Sequence, residues 1–320
     1  MPALLALVLC PGAPAGAEQP APPRVGWLTL QAEDDAPARL EAFRRGLRDL
    51  GYVEGQNIVI ETGFARNRSD RLPDLARELV RSRVSVIVAV DPPTLRAARD
   101  ATGTTPIVTR MSDDPVAAGL AVSLARPGGH VTGLYSLAEE LSAKRLELLR
   151  EAFPRIRRVA VLMSSANAGS QRWFDETGVA ARSLKIQLQP LDVKSADGLE
   201  AAFRAAVDGH AEALITLRNP LIVRNTKRIV SLAARYRLPA IYDAREFVEA
   251  GGLMSYGTNL AELYRHAAVY VDKILKGAKP VDLPIEQPTT FELVVNQKAA
   301  KALGLTLPPS FLVRADRVIN

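Results

Sequence analysis

Two hydrophobic patterns alternate along the chain. Short apolar runs predict strands, and stretches with apolar residues three or four positions apart predict helices. Arg24-Val25-Gly26-Trp27-Leu28-Thr29 reads as a strand. Residues 38–50 carry Leu40, Phe43, Leu47 and Leu50 at helical spacing and stop at Gly51. Residues 57–61 read as a strand, and Leu72, Leu75 and Leu79 mark the next helix. Residues 84–90 are almost continuously apolar, the pattern of a strand buried on both faces of a parallel sheet. A helix over 94–100, a strand over 106–109, a helix over 115–124 and, after the Gly128-Gly129 turn, a strand over 131–133 follow. The second half repeats the alternation. Helices are predicted over 141–153, 169–184, 199–207, 221–236 and 259–275, and strands over 158–163, 185–188, 213–217, 240–242 and 253–256. Asn259 with Glu262 three residues later forms a capping-box-like start, and Gly277 ends that helix.

Strands alternating with helices mean βαβ units, parallel sheets and right-handed crossovers. The expected fold class is α/β, with two doubly wound parallel-sheet lobes. The two runs meet near Tyr135 without a Gly-rich tether, which predicts short hinge segments between the lobes. A chain of 320 residues suits two domains, at roughly 100–200 residues each.

Composition adds limits. The chain is 48% hydrophobic and 24% charged, which excludes disorder and fibrous classes. Aromatic residues make up only 5%, so the cores must be aliphatic. The formal charge of +6 is dispersed; Arg44-Arg45 and Arg157-Arg158 lie on amphipathic stretches without interleaved aromatics, so no nucleic-acid partner is expected. The one cysteine, Cys10, excludes an internal disulfide. It follows the apolar run 3–9, and Ala15-Gly16-Ala17 before Glu18 has the small-x-small form of a signal-peptidase site. Residues 1–17 therefore read as the back half of a secretory signal whose basic region is missing. Leu9 is a poor neighbour for a lipidated cysteine, so a lipid anchor at Cys10 is not expected. The expected location is periplasmic.

Catalytic signatures are missing. There is no G-x-G-x-x-G after the first strand, no phosphate-binding G-x-x-x-x-G-K-[ST] and no G-x-S-x-G. His130, His210 and His266 are far apart and lack cysteine partners, so no metal or other cofactor is expected. Asp113-Asp114 could be an acid/base pair, but Asp114-Pro115 also has the form of a helix start. Polar residues do cluster where strands end, and open parallel sheets bind ligands there. The candidates are Thr29, Asp91, Thr94, Ser112, Asp114, Ser136, Ser164, Asn167, Asn219, Tyr242 and Arg245, with Gln31, Arg218 and Asp243 beside them. Thr94, Asp114 and Asn219 read equally well as helix caps; a helix start is itself a place for a carboxylate.

Several motifs carry a resemblance. Gly51-Tyr52-Val53-Glu54-Gly55-Gln56-Asn57 comes first, then Asp114-Pro115-Val116 and Arg126-Pro127-Gly128-Gly129-His130-Val131-Thr132-Gly133. Lys144-Arg145-Leu146-Glu147-Leu148-Leu149 and Phe247-Val248-Glu249-Ala250-Gly251-Gly252-Leu253-Met254-Ser255-Tyr256-Gly257 follow. Ile274-Leu275-Lys276-Gly277-Ala278-Lys279-Pro280, Pro288-Thr289-Thr290-Phe291-Glu292-Leu293-Val294-Val295-Asn296 and Ala300-Lys301-Ala302-Leu303-Gly304-Leu305 complete the series. In this order they resemble the ABC-transporter substrate-binding proteins of tryptophan/tyrosine transport type. Asp91-Pro92-Pro93-Thr94 and Asp113 depart from the smaller residues usual in that family.

The resemblance implies a type I periplasmic-binding fold with three crossovers. Residues 24–134 with 258–282 would form one lobe, and 135–257 with 284–320 the other, around a ligand cleft. It implies a non-enzymatic solute-binding protein of an ABC importer, with a small amino-acid-like or aromatic ligand and permease and ATPase partners. Thr94 and its helix terminus are expected to take a ligand carboxylate, and Asp91 or Asp114 an ammonium. Trp27, Tyr135 or Tyr256 would pack an apolar tail. Closure would add Ser164, Asn167, Asn219, Tyr242 and Arg245. Two alternatives remain: an α/β enzyme acting on a small molecule, and a ligand-sensing domain of the same fold. The second lacks DNA-binding helices before Val25.

Overall fold

The computed structural model describes residues 21–33, 37–111, 114–135, 141–166, 169–287 and 290–320. The 1–17 leader, Ser112, Asp113, Ser136 and Asn167 lie outside the described residues.

The chain begins with β1 (Arg24–Thr29), α1 (Pro37–Asp49), β2 (Val59–Phe64), α2 (Leu72–Arg81), β3 (Val86–Ala89), α3 (Pro92–Ala101), β4 (Ile107–Met111) and β5 (Val131–Tyr135). The strands form a five-stranded parallel sheet in the order β2-β1-β3-β4-β5. Both faces of the central strand β3 are buried, as the almost continuously apolar run over 84–90 requires. Leu28, Leu79, Ile87 and Leu95 pack under α2 and α3, and Trp27, Phe43, Leu47 and Val88 form the core on the opposite face.

The second lobe follows with α4 (Leu141–Ala152), β6 (Arg158–Met163), α5 (Ser170–Ser183), β7 (Gln187–Asp192), α6 (Gly198–Asp208), β8 (Ala213–Thr216), α7 (Pro220–Arg224), α8 (Thr226–Arg235), β9 (Ala240–Tyr242), α9 (Arg245–Glu249) and β10 (Met254–Thr258). The chain then returns to the first lobe as α10 (Leu260–Leu275), which packs along α1. The ring of Tyr264 lies 5.4 Å from that of Trp27, which is itself 5.2 Å from Phe43. Gly46 lets the two helices meet: a Cβ there would come within 2.4 Å of the Arg265 carbonyl oxygen. Residues 283–286 run beside β5, where Thr132 donates to the Leu283 carbonyl and Tyr135 N–H to that of Glu286. A third crossing brings β11 (Phe291–Asn296), α11 (Gln297–Ala302), α12 (Pro309–Val313) and β12 (Arg317–Ile319) to the second lobe. Its seven-stranded sheet has the order β12-β11-β10-β9-β8-β6-β7, and only the β10–β11 pair is antiparallel.

Two expectations are corrected. Residues 115–124 form turns rather than a helix, because Gly119 adopts the left-handed conformation (φ 65°) and ends the first turn. The predicted helix 221–236 is two helices broken at Asn225, whose side chain instead donates to the Leu221 carbonyl.

Candidate functional site

The C-terminal ends of both sheets face the junction of the lobes. There the sequence-derived candidates divide. Asp91 and Thr94 form a closed capping box: Asp91 Oδ1 accepts the Thr94 N–H, and Thr94 Oγ1 accepts the Asp91 N–H and donates to the Asp91 carbonyl. Asp91 Oδ2 accepts the Leu30 N–H, and Thr94 is fully buried. Asp114 Oδ1 accepts the N–H groups of Val116 and Ala117. Asn219 caps α7 by accepting from Ile222 N–H at 3.0 Å. Thr29 is buried and accepts the Gln31 N–H. These residues are engaged in shaping their own loops.

Trp27 and Tyr242 are core residues. Trp27 is only 2% exposed; Tyr242 stacks on Phe247 at 4.7 Å, and burial pushes its hydroxyl well above the usual tyrosine range. Tyr256 lies against Phe291, Ser164 is buried at the end of β6, and Tyr135 closes β5 at 9% exposure. Arg245 pairs with Glu249 at 3.0 Å and approaches Glu292 at 3.9 Å.

What the junction gathers is charge. Arg39, in the first turn of α1, donates to Glu246 of α9 at 3.1 Å and so links the two lobes; it also donates to Gln31. Arg218, just after β8, donates to Asp243 Oδ2 at 2.6 Å. Arg110 comes from β4, with only 9% of its surface exposed. Burial lowers the Arg110 pKa; nearby Arg218 and Arg39 lower it further, whereas Tyr264, hydrogen-bonded to it, acts in the opposite sense. The Tyr264 hydroxyl donates to the Val90 carbonyl at 2.7 Å. Burial opposes the charge of Arg218 as well, but Asp243 and Glu246 outweigh it and the net shift is upward. Burial would raise Glu246, yet Arg39 and Arg218 hold it below the usual carboxylate value. Behind this cluster the buried Arg145 of α4 donates to the Tyr256 carbonyl at 2.7 Å; burial brings its pKa down to about 10.

Arg39, Arg110, Glu246 and Tyr264 did not stand out in the sequence, Arg145 did so only within the 144–149 motif, and Arg218 and Asp243 only as neighbours of strand ends. The available signal was Arg110, a cation inside the short strand-like segment Ile107-Val108-Thr109-Arg110-Met111. Chemically the cluster can hold an anion among guanidinium groups while Asp243 and Glu246 balance part of the charge. Among the described residues no group of three His, Cys, Asp or Glu could hold a metal ion. Two surface depressions, of about 430 and 190 Å³, lie by β2, on the α2 and α1 sides, and contain none of these groups.

Two α/β lobes, threaded three times by one chain and facing each other through their strand ends, define the two-lobe periplasmic-binding class. The family profile described as ABC transporter substrate binding protein matches residues 32–319, and the chain belongs to that family. It is 27% identical over 266 residues to a "Tyrosine-binding protein" of Clostridioides difficile (strain R20291), covering 83% of this chain and 76% of that one. A conserved domain protein from Vibrio cholerae superposes with a TM-score of 0.80 at 26% identity, over 92% of this chain and 99% of that one. An ABC domain from Streptococcus pneumonia, solved in complex with L-Trp, gives a TM-score of 0.81 at 24% identity, over 93% and 100% of the two chains, and supports the fold. Among the described residues no helix is long and apolar enough to cross a membrane.

Proposed function

We propose that the chain is the extracytoplasmic solute receptor of an ABC importer and binds an amino-acid-like ligand without turning it over. In this reading residues 24–134 with 258–282 and residues 135–257 with 284–320 move as two bodies about the three crossings. The ligand lies between them, residues 1–17 direct export, and a permease with its ATPase receives the closed form. The observation that carries the reading is the Arg39–Glu246 contact with Arg110 and Arg218 beside it, a polar junction at facing strand ends. The relatives' names for tyrosine and tryptophan set the ligand class to try first. A ligand shifts the lobes toward closure only by its greater affinity for the closed state.

A thermal-shift panel of the twenty amino acids tests this. A ligand at 100 times its Kd adds about 2.7 kcal/mol, roughly 5 °C or more in melting temperature. L-tyrosine or L-tryptophan is expected to stabilise the protein and to be recovered unchanged. No shift with any amino acid, or conversion of the ligand to product, refutes the reading.

A further inference from the structure

We infer that Arg39, Arg110 and Arg218 form the anion-binding end of the interlobe site, and that this end takes the carboxylate of the ligand. The inference rests on the cleft being the ligand site, as proposed above.

The strand β4 places Arg110. Val108 and Arg110 share one face of the sheet, and Val108 is buried in the core with Trp27 and Val271 under α1 and α10. Arg110 therefore emerges on that same face, one step closer to the strand's C-terminal edge, where Tyr264 supports it. Arg39 arrives from the first turn of α1 with its side chain 17% exposed, and Arg218 from the other lobe with 20% exposed. Bringing three guanidinium groups together out of water is unfavourable, and it is the arrangement an anion reverses. Glu246 and Asp243 are already engaged by Arg39 and Arg218.

The competing place for a carboxylate is closed. Thr94 is fully buried and its hydroxyl is used on Asp91, so an anion at the start of α3 would have to dismantle the capping box. Beside the arginines lies a carboxylate oxygen, Asp243 Oδ1, that is buried and, among the described residues, has no hydrogen-bond partner. It matches the ammonium end of a zwitterion better than Asp91 or Asp114, whose carboxylates cap backbone N–H groups. Because Arg39 and Arg110 belong to one lobe and Arg218 to the other, an anion held by all three binds the closed form more tightly than the open one.

The test uses the mature chain, Arg110→Gln, Arg110→Lys and a second variant, Arg39→Gln. Probes are L-tyrosine, L-tryptophan, their decarboxylated amines tyramine and tryptamine, and sodium acetate against sodium chloride at equal ionic strength. The amino acids are expected to stabilise the wild type and the amines not to. Arg110→Gln should weaken amino-acid binding by roughly 10–100-fold, the loss of one charge-assisted contact, with Arg110→Lys in between. If Arg110→Gln does not fold, Arg39→Gln carries the same comparison. Amines that bind as tightly as the amino acids overturn the inference, as does a folded variant with wild-type affinity. Should no amino acid bind, acetate stabilisation lost in Arg110→Gln keeps the anion site and ends only the amino-acid reading. No response to acetate or to any amino acid ends both.

Discussion

Removing either end of the Arg39–Glu246 ion pair should loosen the closed form by a small, calculable amount. The contact is a single N–O approach of 3.1 Å between side chains 17% and 45% exposed. Two charges about 4 Å apart attract by about 4 kcal/mol in an effective dielectric of 20, and by about 1 kcal/mol in water. Glu246 is close to half exposed, so the solvent-screened range of about 0.2–1 kcal/mol applies. That energy changes the closing equilibrium by about 1.4- to 5-fold. Arg39→Gln and Glu246→Gln should each shift the ligand-free protein toward the open state by this factor, and the double variant should add little more. Single-molecule distance measurements can read the populations. The chain after residue 17 contains no cysteine, so Asp70→Cys and Ser183→Cys, one exposed site on each lobe, accept the two dyes. Strictly additive single and double effects, or no shift in either single variant, would show that the pair does not contribute to closure.

Gly46→Ala sets helix propensity against packing. Alanine favours an exposed helix by about 1 kcal/mol, but its Cβ would meet the Arg265 carbonyl oxygen at 2.4 Å, and forced overpacking costs roughly 1–3 kcal/mol. A lower melting temperature is expected, and a higher one refutes the close approach of α1 and α10. His130 predicts a pH effect: burial, then the charge of Arg99, hold it below its usual 6.5, against a hydrogen bond that the imidazole donates to the Thr102 backbone. The unfolded chain then binds the proton more readily, so this contribution is complete above pH 6.5 and is lost as pH falls toward the folded value. Melting curves from pH 8 to 5 should fall less steeply for His130→Gln, and parallel curves would remove His130 as the cause.

The elements that local pattern controls were legible in the sequence. The strand at 84–90 follows from its apolar run, and the start of α10 from Asn259, which accepts the Glu262 N–H at 3.1 Å. The break at Asn225 was not legible, since the helical spacing continues across it and a side chain turning back on its own backbone leaves no periodic mark. Nor was the antiparallel β10–β11 pair, because residues beyond 284 give no alternation strong enough to set direction. The polar junction was hard to read for a different reason. Thr94 and Asp114 have the composition of both a cap and a ligand contact, and the cap uses the same atoms. Arg39 looks like any solvated helix arginine until the second lobe brings Glu246 to it. Long flexible side chains acquire their partners from tertiary arrangement, which spacing along one element does not encode.

The return of α10 to the first lobe also fixes an order of assembly. During synthesis from the N-terminus, α1 presents Phe43 and Leu47 with nothing to cover them until Tyr264 and Val271 have been made. Most of the second lobe is synthesised in that interval. Closing a loop of this length carries an entropic cost before any contact rewards it, so the first lobe should complete late and slowly. A chain stopped at residue 257 would keep the five strands of the first sheet and α1 while leaving in water the apolar surface that α10 covers, open to holding factors and to self-association.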